Sequence, residues 1–378
     1  MGNQSCALEN LVTMNKTLLH QTYNGKKVFL TGHTGFKGAW LLKVLKLIGA
    51  EVKGYSLEPE NKFDLYHLIG GDHLCESVID DVRNRKRLKE EVLSFQPDFI
   101  FHLAAQPLVR LSYEIPSETF EVNAIGTANL LDAAKDLEKP CSIVLITTDK
   151  VYHNNEWHHP YREGDRLGGY DPYSASKACA ELVIDSYRNS FFNLNKYNQH
   201  KKGIAVGRAG NVIGGGDWAK DRLLPDIARA LGNEKTIIIR NPSSVRPWQH
   251  VLEPIMGYLL LGSKLAENPL VYSQAYNFGP YTNDALPVEQ MVKIAIQSWG
   301  GGEYESLATG SELHEAGLLK LDISKAYAEL KWTPKMNAYQ AVQLTMDWYK
   351  QYFEDAAAII EKTDAQIHSF ISVTEAII

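Results

Sequence analysis

Cysteine is scarce in this chain: four residues in 378 (Cys6, Cys75, Cys141, Cys179), widely scattered and with no CxxC pair. That spacing excludes a dense disulfide framework and a cysteine zinc site, and it points to a reducing compartment. A surplus of one charge sign is also missing. The 39 basic and 45 acidic residues leave a formal charge of −6, which gives no electrostatic footprint for nucleic acid or an anionic membrane. Any phosphorylated ligand must therefore be gripped by local groups. Long apolar runs are absent as well, and stretches such as Ile255 to Leu261 are too short to span a bilayer. The opening MGNQSCALEN has neither a basic n-region nor an apolar h-region, so no secretory signal is expected. Cys6 stands where a myristoylation signal wants Ser or Thr. A soluble, cytoplasmic protein is the expectation.

What is present is a 44% hydrophobic content, enough to fill a sizeable core, in a length that suggests roughly two domains. After a polar leader over 1–24, short β-branched runs alternate with helical patterns. Strands are expected at Lys27 to Leu30, Glu51 to Ser56, Ser77 to Ile79, Phe99 to Leu103, Ile143 to Thr147 and Gly203 to Gly207. Helices are expected at Gly38 to Ile48, Arg83 to Ser94, Ser117 to Lys135 and Tyr173 to Phe191. Such alternation predicts a doubly wound parallel sheet of the α/β class over 25–208. Beyond Arg208 the rhythm breaks into glycine, proline and tryptophan clusters. A smaller mixed α/β domain over 209–350 fits them, with a segment near 250–280 returning to the sheet through Ala275 to Phe278 and a tail over 351–378.

Thr31-Gly32-His33-Thr34-Gly35-Phe36-Lys37-Gly38 follows a strand and opens a helix. In that context glycines allow a tight turn, close approach of a pyrophosphate and close helix–strand packing, while the helix N-terminus faces the phosphates. This is a Rossmann-type dinucleotide turn with GxxGxxG spacing. A carboxylate for the adenosine ribose should end the second strand, but Tyr55-Ser56-Leu57 stands there and Glu58 lies beyond. No arginine waits in that region for a 2′-phosphate and Lys53 is the only nearby base, so NAD is expected over NADP. Asp81-Val82, after the third strand, is a candidate for holding the adenine.

Tyr173 and Lys177 stand at i and i+4, neighbours on one helical face. A fixed cation beside a phenol stabilises the phenolate and lowers its pKa. Thr147-Thr148-Asp149-Lys150 ends a strand, and loops at the carboxyl ends of parallel strands are where α/β sheets bind ligands. Thr148, Tyr173 and Lys177 are thus expected to converge on a nicotinamide. His153, His158 and His159 lack companions at metal-ligand spacing, so no metal is expected. His102 and Arg208 read as structural.

On the glycine turn, Phe101-His102-Leu103-Ala104-Ala105-Gln106, Thr148-Asp149-Lys150-Val151-Tyr152, Tyr173 with Lys177, and Arg208 to Trp218, the chain resembles the extended short-chain dehydrogenase/reductase family from about Lys26 to Trp348. More narrowly, it resembles the CDP-glucose branch of the nucleotide-sugar 4,6-dehydratases, since related dTDP-glucose and GDP-mannose dehydratases carry a glutamate where Lys150 stands.

The resemblance implies an NAD-dependent hydro-lyase. Its cofactor would meet Gly32, Thr34, Gly35, Phe36, Lys37, Gly38, Asp81, Val82, Ala104, Ala105, Gln106, Tyr173 and Lys177. Thr148, Asp149, Lys150, Tyr173 and Lys177 would carry the chemistry, and Asn123, Asn211, Arg222 and Arg246 would hold the nucleotide sugar. It also implies a homodimer, or a dimer of dimers, built through the helices Ser117 to Lys135 and Tyr173 to Phe191. A nucleotide-sugar 4-epimerase and a non-catalytic NAD sensor share the fold. The first needs no acid/base couple for elimination, and the second has no need to keep Thr148, Tyr173 and Lys177 together.

Overall fold

A computed structural model describes residues 17–239, 241–306 and 319–373. Seven parallel strands form the centre: β1 (Lys27–Thr31), β2 (Glu51–Ser56), β3 (Glu76–Ile79), β4 (Phe99–His102), β5 (Cys141–Thr148), β6 (Lys202–Ala209) and β7 (Ala275–Phe278). Their spatial order is β7-β6-β5-β4-β1-β2-β3. The order reverses between β1 and β4, and crevices at such a switch point bind ligands. β5 is buried along its whole length (CSIVLITT), which is why its centre reads as a continuous apolar run.

Side chains alternate across the sheet. Val28, Leu30, Phe101, Val144 and Ile146 point to one layer, while Phe29, Ile100, Ile143 and Leu145 point to the other. The second layer is closed by α2 (Arg85–Phe95), α3 (residues 116–135) and α4 (Pro172–Ser190) through Leu88, Val92, Leu130, Leu131 and Ile184. The long helix expected at Ser117 to Lys135 exists as α3, but it contains a π-helical turn: Pro116–Phe120, then Glu121–Ile125, then Gly126–Lys135. The first layer is closed by α1 (Phe36–Leu47) and by helices of the second half, namely α5 (Leu223–Gly232), α6 (Leu252–Glu267) and α7 (Ala338–Glu354). A last helix, α8 (Ile359–Val373), packs on α7. Short paired strands complete the second half: Val212–Ile213 with Gln249–His250, Val245–Pro247 with Ala285–Pro287, and Ile237–Ile239 with Tyr304–Ser306.

The expected leader ends earlier than its pattern suggested. Residues 17–23 are helical, with Leu19 and Tyr23 in the core. Tyr23 Oη donates to the Leu259 carbonyl at 2.7 Å. Residues 1–16, with Cys6 and the myristoylation-like start, lie outside the described set, as does the end of the apolar tail over 374–378. At the corner between α3 and β5, the buried Lys202 ammonium donates to the carbonyls of Leu137, Lys139 and His200 at 2.6–2.9 Å. It satisfies carbonyls of the connecting segments that would otherwise be buried without a donor.

Candidate active site

The turn between β1 and α1 explains each of its glycines differently. Gly32 lies at φ +76°, and a Cβ there would come within 2.7 Å of the Ala104 nitrogen. At Gly38 a Cβ would sit 1.9 Å from the Gly32 carbonyl oxygen. Gly35 is exposed, and its Cβ would meet only that oxygen at 3.5 Å. Its backbone therefore faces open space. Gly35 is also the N-cap of α1, which has no side-chain cap and no acid in its first turn. Free N–H groups and the positive helix end remain for an anion. The cradle fits a pyrophosphate.

Thr34 does not face that cradle through its hydroxyl, which donates to the Leu57 carbonyl and lies 2.8 Å from Ser56 Oγ. It ties the turn to the end of β2. Phe36 reaches toward Gly214, where a Cβ would come 3.1 Å from its ring. Lys37 Nζ donates to Tyr258 Oη at 3.4 Å. Burial pulls the Lys37 ammonium down to about 8, aided by Lys177 and Arg222 and opposed by Asp149.

At the adenosine side, Glu58 is exposed beyond β2. Lys53 turns away, paired with Glu76 at 2.7 Å and Glu91 at 2.9 Å. Asp81 is committed to Arg83, which donates to it through Nε at 2.9 Å and Nη2 at 2.6 Å. Burial would raise the Asp81 carboxyl, but the Arg83 fork prevails and holds it below its ordinary value. Val82 is buried, and Asn129 Nδ2 donates to its carbonyl. Adenine contact at this strand end would thus fall to backbone and the Asp81–Arg83 pair.

Ala104, Ala105 and Gln106 follow β4 along the crevice. The Ala104 N–H is held by Thr31 Oγ1, and Gln106 Nε2 donates to Thr119 Oγ1. Asn123 is placed differently from the substrate contact that the resemblance implies. Its amide accepts from Gln106 N at 2.9 Å and donates to Gln106 O and Ser176 Oγ at 3.1 and 2.8 Å. Both N–H donors are spent inside the protein, so Asn123 positions the Ala104–Gln106 loop. Asn123 lies, buried, in the π-helical turn of α3, and such turns are frequent at functional sites.

β5 ends in a single 3₁₀ turn, Asp149–Val151. Thr148 Oγ1 donates to Asp149 Oδ1 at 2.9 Å and accepts the Lys150 N–H at 3.3 Å. Asp149 is buried; Lys150 is half-buried. Asp171-Pro172 starts α4 as N-cap and first helical residue, with Asp171 accepting from Ser174 N at 2.9 Å. That start presents Tyr173, whose own N–H is accepted by Ser112 Oγ.

The expected lowering of the Tyr173 phenol by Lys177 is not what the arrangement produces. Burial pushes the phenol up to about 12, against the pull of Thr148 and Arg222, with Asp149 and Asp171 adding to the rise. Lys177 shares the helical face, but its ammonium donates to the Ile146 carbonyl at 3.3 Å. Burial lowers it to about 8, opposed by Glu181. Arg222 is the cation that pulls on the phenol, and Lys37 lies close enough to Lys177 and Arg222 to be lowered by both.

In the second half, Asn211 lies between β6 and the Val212–Ile213 strand. Arg222 Nη1 donates to Asp217 Oδ2 at 2.6 Å. Arg246 belongs to the Val245–Pro247 strand, and its side chain lies outside the described residues. A small cavity beside Asp149 is lined by Gly210, Pro247, Gly279, Tyr281 and Lys320, bringing the second half up to the end of β5. His102 bridges Thr31 Oγ1 and Thr127 Oγ1 at 2.7 and 3.2 Å, as a core histidine does. Among the described residues no group of three or more His, Cys, Asp or Glu could hold a metal, and no helix is long and apolar enough to cross a membrane.

Sequence reasoning missed Glu181, Asp217, Ser176 and Tyr258. Glu181 was within reach, since it stands four residues after Lys177. Ser176 and Asp217 are likewise near Tyr173 and Arg222 in sequence, and only Tyr258 joins the site through long-range packing.

This combination of a doubly wound sheet, a glycine turn open at a helix start, and Thr148, Tyr173 and Lys177 at the carboxyl end of β5 defines a Rossmann-type short-chain dehydrogenase/reductase. The chain belongs to the family described as GDP-mannose 4,6 dehydratase, whose model matches residues 29–345. It is 46% identical over 352 residues to the CDP-glucose 4,6-dehydratase of Salmonella typhimurium, covering 93% of this chain and 98% of that one. A CDP-paratose 2-epimerase of Salmonella typhi is 26% identical over 85% and 98% of the two chains. Among solved structures, a dTDP-glucose 4,6-dehydratase of Streptomyces venezuelae with NAD bound superposes with a TM-score of 0.72 at 24% identity, covering 86% and 97%.

Proposed function

We propose that this protein dehydrates CDP-D-glucose to CDP-4-dehydro-6-deoxy-D-glucose, using NAD that stays bound. The observation that carries the reading is the Thr148–Asp149–Lys150 turn beside Tyr173, an acid/base set that a 4-epimerase does not need. The extent of identity to a CDP-glucose 4,6-dehydratase supports the substrate. The open N-terminus of α1 at Gly35 supports NAD, with Gly32, Gly38 and the Ala104–Gln106 loop shaping its cradle. Residues 25–208 would carry the cofactor, and 209–350 the nucleotide sugar.

Bound NAD would supply the acceptor for the C4 hydride and its donor to C6. Tyr173 takes the proton of the C4 hydroxyl, while Thr148 hydrogen-bonds that oxygen. A phenol near 12 is a poor base at neutral pH, so the lowering that proton removal requires must come with cofactor and substrate in place, added to the pull that Thr148 and Arg222 already exert. The 4-ketone acidifies C5–H, and Asp149 protonates the departing C6 hydroxyl. Lys150 either takes the C5 proton or stays charged and steadies the enolate. Asn211, Arg222 and Arg246 meet the diphosphate, to which guanidinium forks are suited.

The reading includes a homodimer in the cytoplasm, joined through α3 and α4. Apolar Ile125 and Leu182, exposed on those helices, and Phe191 just past α4 support that contact. Incubation with CDP-, dTDP-, UDP- and GDP-hexoses tests the function. A 4-keto-6-deoxy product from CDP-glucose is expected. Formation of only the C4 epimer would favour an epimerase, and no product from any sugar would leave an NAD-binding protein without this activity.

A further inference from the structure

α8 lies beyond the stretch that the family model matches, yet it reaches the loop over 214–218 through one side chain. Trp348 of α7 is fully buried, and its indole lies flat against Gly215: a Cβ on that glycine would fall 2.0 Å from the ring. The indole N–H donates to Thr363 Oγ1 of α8 at 3.0 Å, and Thr363 in turn donates to the Ile359 carbonyl. Trp40 of α1 also reaches Gly215, donating its indole N–H to the Gly215 carbonyl at 3.0 Å. Gly215 is thus in contact with two indoles.

This loop leads straight to the substrate side. Two residues on, Asp217 is buried, and Tyr349, next to Trp348, donates its hydroxyl to the Asp217 carbonyl. The Asp217 carboxylate accepts from Arg222 at 2.6 Å. Trp218 packs at 5.0 Å from both Tyr349 and Tyr352. The chain of contact runs from Thr363 to Trp348, to Gly215, to Asp217 and to Arg222. Holding a guanidinium in place before its ligand arrives spares the cost of ordering it on binding.

We propose that Thr363 and Trp348 are positioning residues through which α8 sets the Arg222 guanidinium for the nucleotide diphosphate. This rests on the reading of Arg222 as a diphosphate ligand. It predicts a loss in binding with little loss in chemistry, because Tyr173 is held independently by Ser112 and the Asp171 cap.

Calorimetric titration with CDP tests it without requiring turnover, alongside KM and kcat for CDP-glucose. Thr363→Val removes the hydroxyl acceptor and leaves an indole N–H unpaired. It should weaken CDP binding and raise KM by roughly fivefold, with kcat within about twofold. Thr363→Ser should keep the wild-type values. Trp348→Phe keeps a ring under Gly215 without the N–H, so it should match Thr363→Val and serve if that variant does not fold. The double variant should be no worse than either alone, since both break one link. Unchanged CDP affinity in both variants, a fall in kcat at constant KM, or additive losses would overturn the proposal. Wild-type protein that binds CDP but forms no keto sugar would refute the dehydratase reading, while the affinity comparison would still decide this one.

Discussion

Arg208 donates two parallel hydrogen bonds to the Glu181 carboxylate, at 2.8 and 2.9 Å, in a space closed to solvent between β6 and α4. Thr147 donates to the same carboxylate at 2.6 Å, and Arg208 Nη1 also reaches Tyr152 Oη at 2.8 Å. One buried anion therefore locks α4, which carries Tyr173 and Lys177, to β5, which carries Thr148.

Removing one partner of such a pair leaves the other charge buried and uncompensated, at a cost of about 3–5 kcal/mol. Glu181→Gln should lower unfolding free energy by that amount in urea titration. Thr147→Val, which removes only a neutral donor, should cost about 1–2 kcal/mol. Equal losses in the two variants would show that charge is not what matters there.

Gly35 and Gly38 should separate cofactor binding from folding. Gly35→Ala places its methyl in open space and should melt within a few degrees of wild type, yet bind NAD at least about tenfold more weakly. Gly38→Ala drives a methyl into the Gly32 carbonyl and should lose stability and cofactor together. Fluorescence titration with NAD and a thermal melt read both.

Lys150→Ala addresses the proton at C5. If Lys150 is the base, exchange of C5–H with deuterated water, followed by NMR during turnover, should slow by about 10²–10⁴. Exchange at the wild-type rate would leave Lys150 as an electrostatic partner of the enolate.

Three histidines make the fold sensitive to acid. Burial lowers His102 and His250 to about 3 and His33 to about 4, with Lys177 aiding at His102 and Asp72 opposing at His33. The unfolded chain takes up these protons near 6.5 and the folded chain only far below. Stability must therefore fall as pH drops from about 6.5 toward 4. Glu253, pushed up to about 7 by burial, works the other way, since it is protonated first in the folded chain. The net slope should be about 2–3 kcal/mol per pH unit near pH 5.5. Denaturant midpoints from pH 7 to 5 measure it, and His250→Leu should flatten the curve by about one proton.

The sheet was legible because parallel strands buried on both faces are mostly apolar, as the Ile143-Val144-Leu145-Ile146 centre of β5 is. The cofactor turn was legible because glycine spacing encodes local geometry. Asn123 was harder. A helical position says which face a residue shares, and an inserted π-helical turn changes that face without any mark in the pattern. Lys177 shows the same limit: i,i+4 spacing put it on the Tyr173 face, but its tip found the Ile146 carbonyl. The burial of Tyr23 depends on packing between distant segments, which no local signal reports.

Lys202 carries one more consequence. Its amine is wrapped by three carbonyl oxygens and hidden from water, so an acylating reagent cannot touch it while the α3–β5 corner stays shut. The rate at which that single amine becomes labelled, followed by peptide mass spectrometry, is therefore a clock for how often this corner opens in the native protein.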